Sequence, residues 1–441
     1  MSVKVGQRHH VVIIGSGFGG LFAAKHLKNA DVDVTLISRV NHHLFQPLLY
    51  QVATGILSEG EIAPATREIL RKQANATVLL GDVTKIDLAA HTVTSGAVGL
   101  TTVTPYDSLI VAAGADSSYF GHPEFAPDAP GLKSIDDAMT LRARIFGAFE
   151  AAELETDPDL RKEWMTFVVV GAGATGVEMA GQLSEASHRT LKGNFRSINP
   201  ADAHIVLLDA AGSVLGTFGH RLSARAAEQL EKLGVEVWLN GKVVGVDDRG
   251  LDLVDDQGHD ARIATRTIVW AAGVQASPLG KQLGEQSGAT VDRGGRVEVR
   301  PDLTLPGHPE VYVIGDLASL NHYPGVAQVA MQGAKYVADA IQRRVVGQEP
   351  KGPFHYFDKG SMATISRFRA VANVGPFRFF GFAAWVLWLG IHIVYLVGFK
   401  NRVTTLLHWA VSFIGNGRSQ RSGVAQEAIA HRPDPGAGTA A

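Results

Sequence analysis

The sequence predicts an α/β protein built from two parallel-sheet units, and three observations carry that prediction. Short β-branched runs alternate with helix-like stretches through about residue 345, the pattern of strand–helix–strand repeats around parallel sheets. A Gly-x-Gly-x-x-Gly turn at Gly15, Gly17 and Gly20 directly follows the first apolar run. The same turn returns about 156 residues later at Gly171, Gly173 and Gly176, so that VVIIGSGFGG at 11–20 and FVVVGAGATG at 167–176 echo each other.

Taken in order, His10–Ile14 reads as a first buried strand. Its apolar run ends in glycines and falls short of the ~7–15 apolar residues of a secretory signal, so the bulk of the chain is expected in the cytosol. Further strands are expected at Val32–Ile37, Thr77–Leu80, Ser108–Ala112, Thr166–Val170, His204–Leu208, Thr267–Ala271 and Val311–Ile314. Helices are expected at Leu21–Leu27 and Val326–Ile341. A second echo, Tyr106–Gly114 against Arg266–Gly273, supports two copies of one kind of unit. The expected division is 8–120 with 295–345 for the first unit and 121–294 for the second. A C-terminal region at 346–415 follows, and then a disordered tail at 416–441, rich in Gly, Ser, Gln, Ala and Pro.

Composition excludes several classes. With 441 residues and 46% hydrophobic content the chain can bury large cores, and at 19% charged residues it sits below the usual ~25%. A net charge of −2 lacks the basic footprint of a nucleic-acid binder. There is no cysteine. Disulfides, Cys-ligated zinc, Cys-held iron–sulfur clusters and thiol chemistry by the chain's own residues are therefore excluded.

In strand–turn–helix context each glycine has a job. The first makes the tight turn, the second admits a pyrophosphate to the backbone, and the third lets helix and strand pack closely. The helix N-terminus then faces the phosphates. Both units are expected to bind dinucleotides. In the second, Asp209 ends a strand where it can accept hydrogen bonds from a ribose 2′-hydroxyl and repel a 2′-phosphate, which favours NADH over NADPH. Its distance from Gly171 requires an insertion around Arg189–Pro200. In the first unit Ser38-Arg39 stands where an acid is usual, and a serine hydroxyl bonds a ribose more weakly. Gly315-Asp316 ends a late strand, placed to bring a carboxylate to the ribityl–phosphate region of a flavin.

The segment His43-Leu44-Phe45-Gln46-Pro47-Leu48-Leu49-Tyr50-Gln51-Val52-Ala53-Thr54-Gly55 stands beside two Ala-Ala-Gly turns, Gly315-Asp316 and Ala327-Gln328-Val329-Ala330-Met331-Gln332. Together these resemble the type II NADH:quinone oxidoreductases, single-subunit, non-proton-pumping, FAD-containing dehydrogenases of respiratory electron transport. The resemblance runs from about residue 9 to 415. It implies that FAD meets Gly15, Gly17, Gly20, Ser38, Thr54, Ala113, Gly114, Gly315 and Asp316. NADH would meet Gly171, Gly173, Gly176, Asp209 and the Ala272-Gly273 turn. It places Glu178 near nicotinamide and flavin. It also sets Gln328 and Gln332, which share a helix face, at the headgroup of a quinone, with the start of their helix aimed at the flavin. Lys359 and Lys400 are weaker candidates for a proton path. No metal is implied: the pairs His9-His10 and His42-His43 have no carboxylate at ligand spacing and read as non-ligands.

Phe379–Phe399 contains no Asp, Glu, Lys or Arg and meets the ~20-residue length of a spanning helix. Its pattern argues instead for a helix lying on a membrane. Trp385, Trp388, His392, Tyr395 and Phe399 form one stripe of interface-loving side chains, opposite Val386, Leu389, Ile393 and Val397. A second apolar stripe, Val403, Leu406, Leu407, Ala410 and Ile414, opposes Thr404, Thr405 and His408. Two amphipathic helices in tandem suit a monotopic anchor on the cytoplasmic face of the cell membrane, next to the quinone pool. A soluble core or homodimer helix is the alternative. The rival functions are a soluble flavin reductase with ferredoxin or oxygen as acceptor, and a non-catalytic, membrane-tethered flavoprotein that senses NADH.

Overall fold

The computed structural model describes residues 8–349, 351–415, 417, 418, 420 and 421. Most of the tail expected at 416–441 lies outside these residues. Two compact units divide the chain. The first runs to Phe45 and resumes over Ala63–Asp116 and Val274–Lys359. The second comprises Gln46–Ile62, Ser117–Gly273 and everything described from Gly360 on. These limits differ from the expected ones in three ways. The segment holding Tyr50 and Thr54 belongs to the second unit, the return to the first comes at Val274 instead of 295, and the C-terminal region is divided, 346–359 in the first unit and the remainder in the second.

The first unit is a six-stranded sheet ordered Thr304–Leu305, His308–Val313, Ser108–Val111, His9–Ile14, Val32–Ser38, Ala76–Leu80. All neighbours run parallel except the short Thr304–Leu305 strand. Val11, Val12 and Ile13 are fully buried, as a central parallel strand covered on both faces requires. Because His9–Ile14 pairs with the next strand in sequence on one side and with Ser108–Val111 on the other, the order reverses at its C-terminal end. A crevice opens at such a point. The helix that follows starts at Phe18, three residues earlier than expected, with Gly17 as its N-cap. It packs on the long helix Ala327–Val345.

The second unit repeats the plan with four parallel strands, Val235–Leu239, His204–Asp209, Thr166–Val170 and Thr267–Trp270. The helix Ala174–Glu185 leaves the glycine turn, widens into a π-helical turn at Ala186–Thr190, and reaches Pro200–Asp202 before the next strand. This is the expected insertion. Near its end the helix meets the strand Ser361–Ser366 so closely that a Cβ on Gly181 would lie 1.6 Å from the Ile365 carbonyl oxygen.

That strand begins a three-stranded antiparallel sheet completed by Arg369–Val374 and Phe377–Phe380. The expected continuous helix over Phe379–Phe399 is therefore corrected. Phe379 and Phe380 end a strand, Gly381–Tyr395 is one helix, and Phe399–Ile414 is another. Gly398, at φ +97°, separates the two helices.

The aromatic stripe is corrected as well. Trp385 and Trp388 are buried, Trp385 edge-on to Phe413 and Trp388 against Trp409 and stacked on His392, so they form a packing seam. Burial also holds the His392 imidazole at about 4, neutral at ordinary pH. The outward residues are Phe382, Val386 and Val394 on one helix and Val403, Leu406, Leu407 and Val411 on the other. On the second helix Thr405 is fully buried and His408 pairs with Glu61, while Leu407 and Val411 are each 62% exposed. The helix thus turns Trp409, Phe413 and Thr405 inward and leaves Val403, Leu406, Leu407 and Val411 facing out, with Lys400 and Arg402 exposed at its start. Among the described residues no helix is long and apolar enough to cross a membrane.

Candidate functional site

In the first unit the expected residues gather at the strand tips. Gly15 adopts φ +100°, and a Cβ there would lie 2.3 Å from the Ala112 carbonyl oxygen. Gly17 faces open space with nothing within 4 Å of a built Cβ, the room a phosphate needs to reach the backbone. Ala113 and Gly114 continue from the neighbouring strand, and Gly114 also faces open space. Ser38 ends the next strand, its hydroxyl 2.9 Å from that of Ser16 inside the glycine turn. His43, fully buried against Phe18, bonds the Ser16 carbonyl at 2.8 Å, and burial lowers it to about 4.

Gly315 and Asp316 follow the His308–Val313 strand and line a pocket with Tyr323, Pro324 and Gly325. A Cβ on Gly325 would lie 3.3 Å from Asp316 Oδ1, so the carboxylate stands just before the Ala327–Val345 helix. That helix begins at Ala327 instead of Val326 and has no capping side chain, which leaves its first N–H groups for an electron-rich partner. The Gln328 side chain makes no hydrogen bond among the described residues. Gln332 does: its amide bonds the Phe357 carbonyl at 2.9 Å and N–H at 3.0 Å. The two glutamines thus part company, one held by its own chain and one unengaged.

In the second unit the geometry returns. Gly171 adopts φ +108°, a Cβ on it would meet the Ala271–Ala272 backbone within 3 Å, and Gly173 faces open space. Gly176 seats its helix so close that a Cβ would lie 1.7 Å from the Gly171 oxygen. Asp209 ends the neighbouring strand and accepts the Ala172 N–H of the turn and, at 2.7 Å, the Ala211 N–H. Gly273 lies under the Phe120 ring.

Glu178, in the first half of the helix that leaves this turn, is 7% exposed. Burial raises its carboxyl to about 8, against two bonds from Thr364 that pull it down. The Thr364 N–H donates at 3.2 Å. Thr54 belongs to this unit, not to the first, and its hydroxyl is turned onto the Tyr50 carbonyl at 2.8 Å. Arg418, buried, donates to the Thr54 carbonyl at 2.8 Å and to Gln182 Oε1 at 2.8 Å.

Sequence reasoning missed Thr364, Trp409 and Arg418 as site residues. Tyr50 and Gln51 lay inside a quoted motif without being singled out. Thr364 sits in an ordinary strand, Ser-Met-Ala-Thr-Ile-Ser, with no local pattern to mark it.

Two Rossmann units with paired glycine cradles define a two-dinucleotide flavoprotein, and the model of the pyridine nucleotide-disulphide oxidoreductases matches residues 9–334. The chain is 58% identical over 426 residues to the type II NADH:quinone oxidoreductase Ndh of Mycobacterium tuberculosis, covering 96% of this chain and 92% of the relative. It is 59% identical to NdhA of the same organism, covering 94% and 89%. The chain belongs to the type II NADH:quinone oxidoreductase family, non-proton-pumping FAD-dependent enzymes. Among solved structures, an NDH2 from Plasmodium falciparum in complex with NADH has a TM-score of 0.83 at 21% identity, covering 93% of this chain and all of that one. A sulfide:quinone oxidoreductase from Aquifex aeolicus shares the fold at TM-score 0.71 and 18% identity, covering 90% and 92%.

Proposed function

We propose that this NADH:quinone oxidoreductase assigns its ligands unit by unit. The first unit holds FAD through Gly15, Gly17, Gly20, Ser38, Ala113, Gly114, Gly315 and Asp316. The open space over Gly17 suits a phosphate, and the Asp316 carboxylate suits the hydroxyls of a sugar-like chain. When bound, FAD supplies a two-electron carrier able to accept a hydride and return electrons to a quinone. The second unit takes NADH on Gly171, Gly173, Gly176 and Gly273, with Asp209 selecting the unphosphorylated ribose. Glu178 tunes the polarity met by the nicotinamide. Gln328 offers its amide to a quinone carbonyl, and Gln332 steadies the Phe357 segment beside it.

The enzyme lies on the cytoplasmic face of the cell membrane without crossing it. The observation that carries this is the row of large apolar side chains left outward on the last helix: Val403, Leu406, Leu407 and Val411. Charge agrees, since the stretch from Lys359 to Arg421 holds no Asp or Glu, and Arg378, Lys400 and Arg402 within it are exposed. Such a surface suits an anionic bilayer.

Flotation with phosphatidylglycerol-containing vesicles tests it. Leu407→Asp with Val411→Asp should cut the bound fraction by about tenfold or more, since each side chain contributes roughly 1.5–3 kcal/mol of apolar transfer. Undiminished binding of the double variant would contradict the assignment of this face.

A further inference from the structure

A chain of buried hydrogen bonds runs through the second unit from the outward-facing Phe399–Ile414 helix to Glu178. The Trp409 indole N–H donates to Gln51 Oε1 at 2.6 Å, and the Gln51 amide donates to the Tyr50 oxygen at 3.0 Å. The Tyr50 and Thr364 hydroxyls are 2.9 Å apart. The Thr364 hydroxyl lies 3.5 Å from Glu178 Oε1. None of the five side chains is more than 7% exposed.

The far end fixes the direction of the chain as far as Tyr50. An indole can only donate, so Gln51 must turn its oxygen to Trp409 and its NH₂ to Tyr50. Between Tyr50 and Thr364 either hydroxyl can donate; with Tyr50, which accepts from Gln51, as the donor, the Thr364 hydrogen is left for Glu178. In that arrangement every hydrogen in the chain points toward the carboxyl. Aligned donors polarise one another and favour the ionised carboxylate, whereas burial opposes it.

Few other charges bear on Glu178. Of the elements packed on its helix, Ser361–Ser366 and Thr166–Val170 carry no ionisable side chain, and Leu49–Ala53 carries Tyr50 alone. His204 pairs with Glu236, Asp209 holds the glycine turn, and Arg225 and Lys232 pair with Glu228. His220, Arg221 and Glu231 are exposed. On its own helix lies Glu185, Arg418 bonds Gln182 one turn along, and the Ala186–Thr190 turn that follows carries His188, bonded to the Ser184 carbonyl, and Arg189.

We propose that Tyr50, Gln51 and Thr364 are positioning residues that couple the charge of Glu178 to the seating of the Phe399–Ile414 helix, with Trp409 as the sensing contact. The coupling rests on the reading of that helix as the membrane face. When the helix is pressed home the donor chain is complete and the carboxylate is favoured. When Trp409 withdraws, the chain loses its fixed end and the neutral carboxyl is favoured.

The test is an infrared pH titration of the flavin-loaded, full-length enzyme, following the protonated-carboxyl band that vanishes in Glu178→Gln. Removing one donor should move the midpoint to higher pH by about half a unit to one unit in Tyr50→Phe, Thr364→Val and Trp409→Phe. Thr364→Ser, which keeps the hydroxyl, should restore the wild-type midpoint and guards against a packing effect. A wild-type midpoint in folded Tyr50→Phe overturns the chain, and one in folded Trp409→Phe overturns its link to the helix.

Adding phosphatidylglycerol vesicles should lower the wild-type midpoint and leave that of Tyr50→Phe unchanged. Enzyme that floats with vesicles while its midpoint stays fixed overturns the coupling but leaves the membrane reading intact. Enzyme that does not float overturns the membrane reading, and the Tyr50→Phe shift without vesicles then still decides the donor chain.

Discussion

The glycine turns of the two units match closely: φ is +100° at Gly15 and +108° at Gly171, and the third glycine of each seats its helix against the first, 1.8 and 1.7 Å from a built Cβ. They part at the end of the following strand. There Asp209 clamps the residue after the first glycine through its backbone N–H, whereas Ser38 clamps its counterpart through the Ser16 hydroxyl. In the proposed assignment the backbone cradle answers to the pyrophosphate common to both ligands and has little freedom. The strand-end side chain, proposed to meet the ribose, can change from carboxylate to hydroxyl while still bracing the turn. The second unit alone also carries the C-terminal sheet, the outward-facing helices and the buried Glu178.

The largest effect expected is a split between matched glycine variants. Gly15→Ala forces a Cβ onto the Ala112 oxygen and should yield protein with about a tenth or less of the wild-type flavin absorbance. Gly171→Ala should retain its flavin and lose NADH oxidation by about a hundredfold. The reverse pattern would mean that the ligands are assigned to the wrong units.

A smaller contrast is expected at the strand ends. Asp209→Ala should raise the KM for NADH by about tenfold and narrow the preference over NADPH, because a charge-assisted bond is worth ~1.5–3 kcal/mol. Ser38→Ala should change flavin retention by no more than about threefold to tenfold, the loss of one neutral bond. Equal effects would remove the distinction drawn between the two clamps.

The smallest effect lies in stability. The Glu178 carboxyl is raised in the folded protein to about 8 from an ordinary 4.5. Between those values the folded state holds a proton that the unfolded state has released, so stability falls as pH rises through the window and levels off above it. Thermal melts should show that Glu178→Gln flattens this decline by a few degrees in Tm. A decline of the same steepness in the variant would mean that Glu178 does not titrate in the window.

Both Rossmann units were legible in the sequence because glycine turns and buried parallel strands leave local signals: a fixed spacing and a run of apolar residues. Asp209 was legible for the same reason, as the last residue of such a run. The direction in which Trp385 and Trp388 point was not. Alternating tryptophan and aliphatic faces look alike on paper, and only packing against Phe413 and Trp409 decides which turns inward. Thr364 was invisible because it gains its chemistry from residues far away in sequence, Glu178 and Tyr50. The disulphide in the family model's name has no counterpart here, since the chain has no cysteine.

Stopped-flow spectroscopy of Asp209→Ala and Gln328→Ala, each compared with the wild type in both half-reactions, tests the division of labour most directly. At limiting NADH, Asp209→Ala should slow flavin bleaching by about tenfold and leave recolouring by a quinone unchanged. Gln328→Ala should bleach at the wild-type rate and recolour slowly. If both variants slow the same half-reaction, NADH and quinone do not use separate units, and the assignment fails.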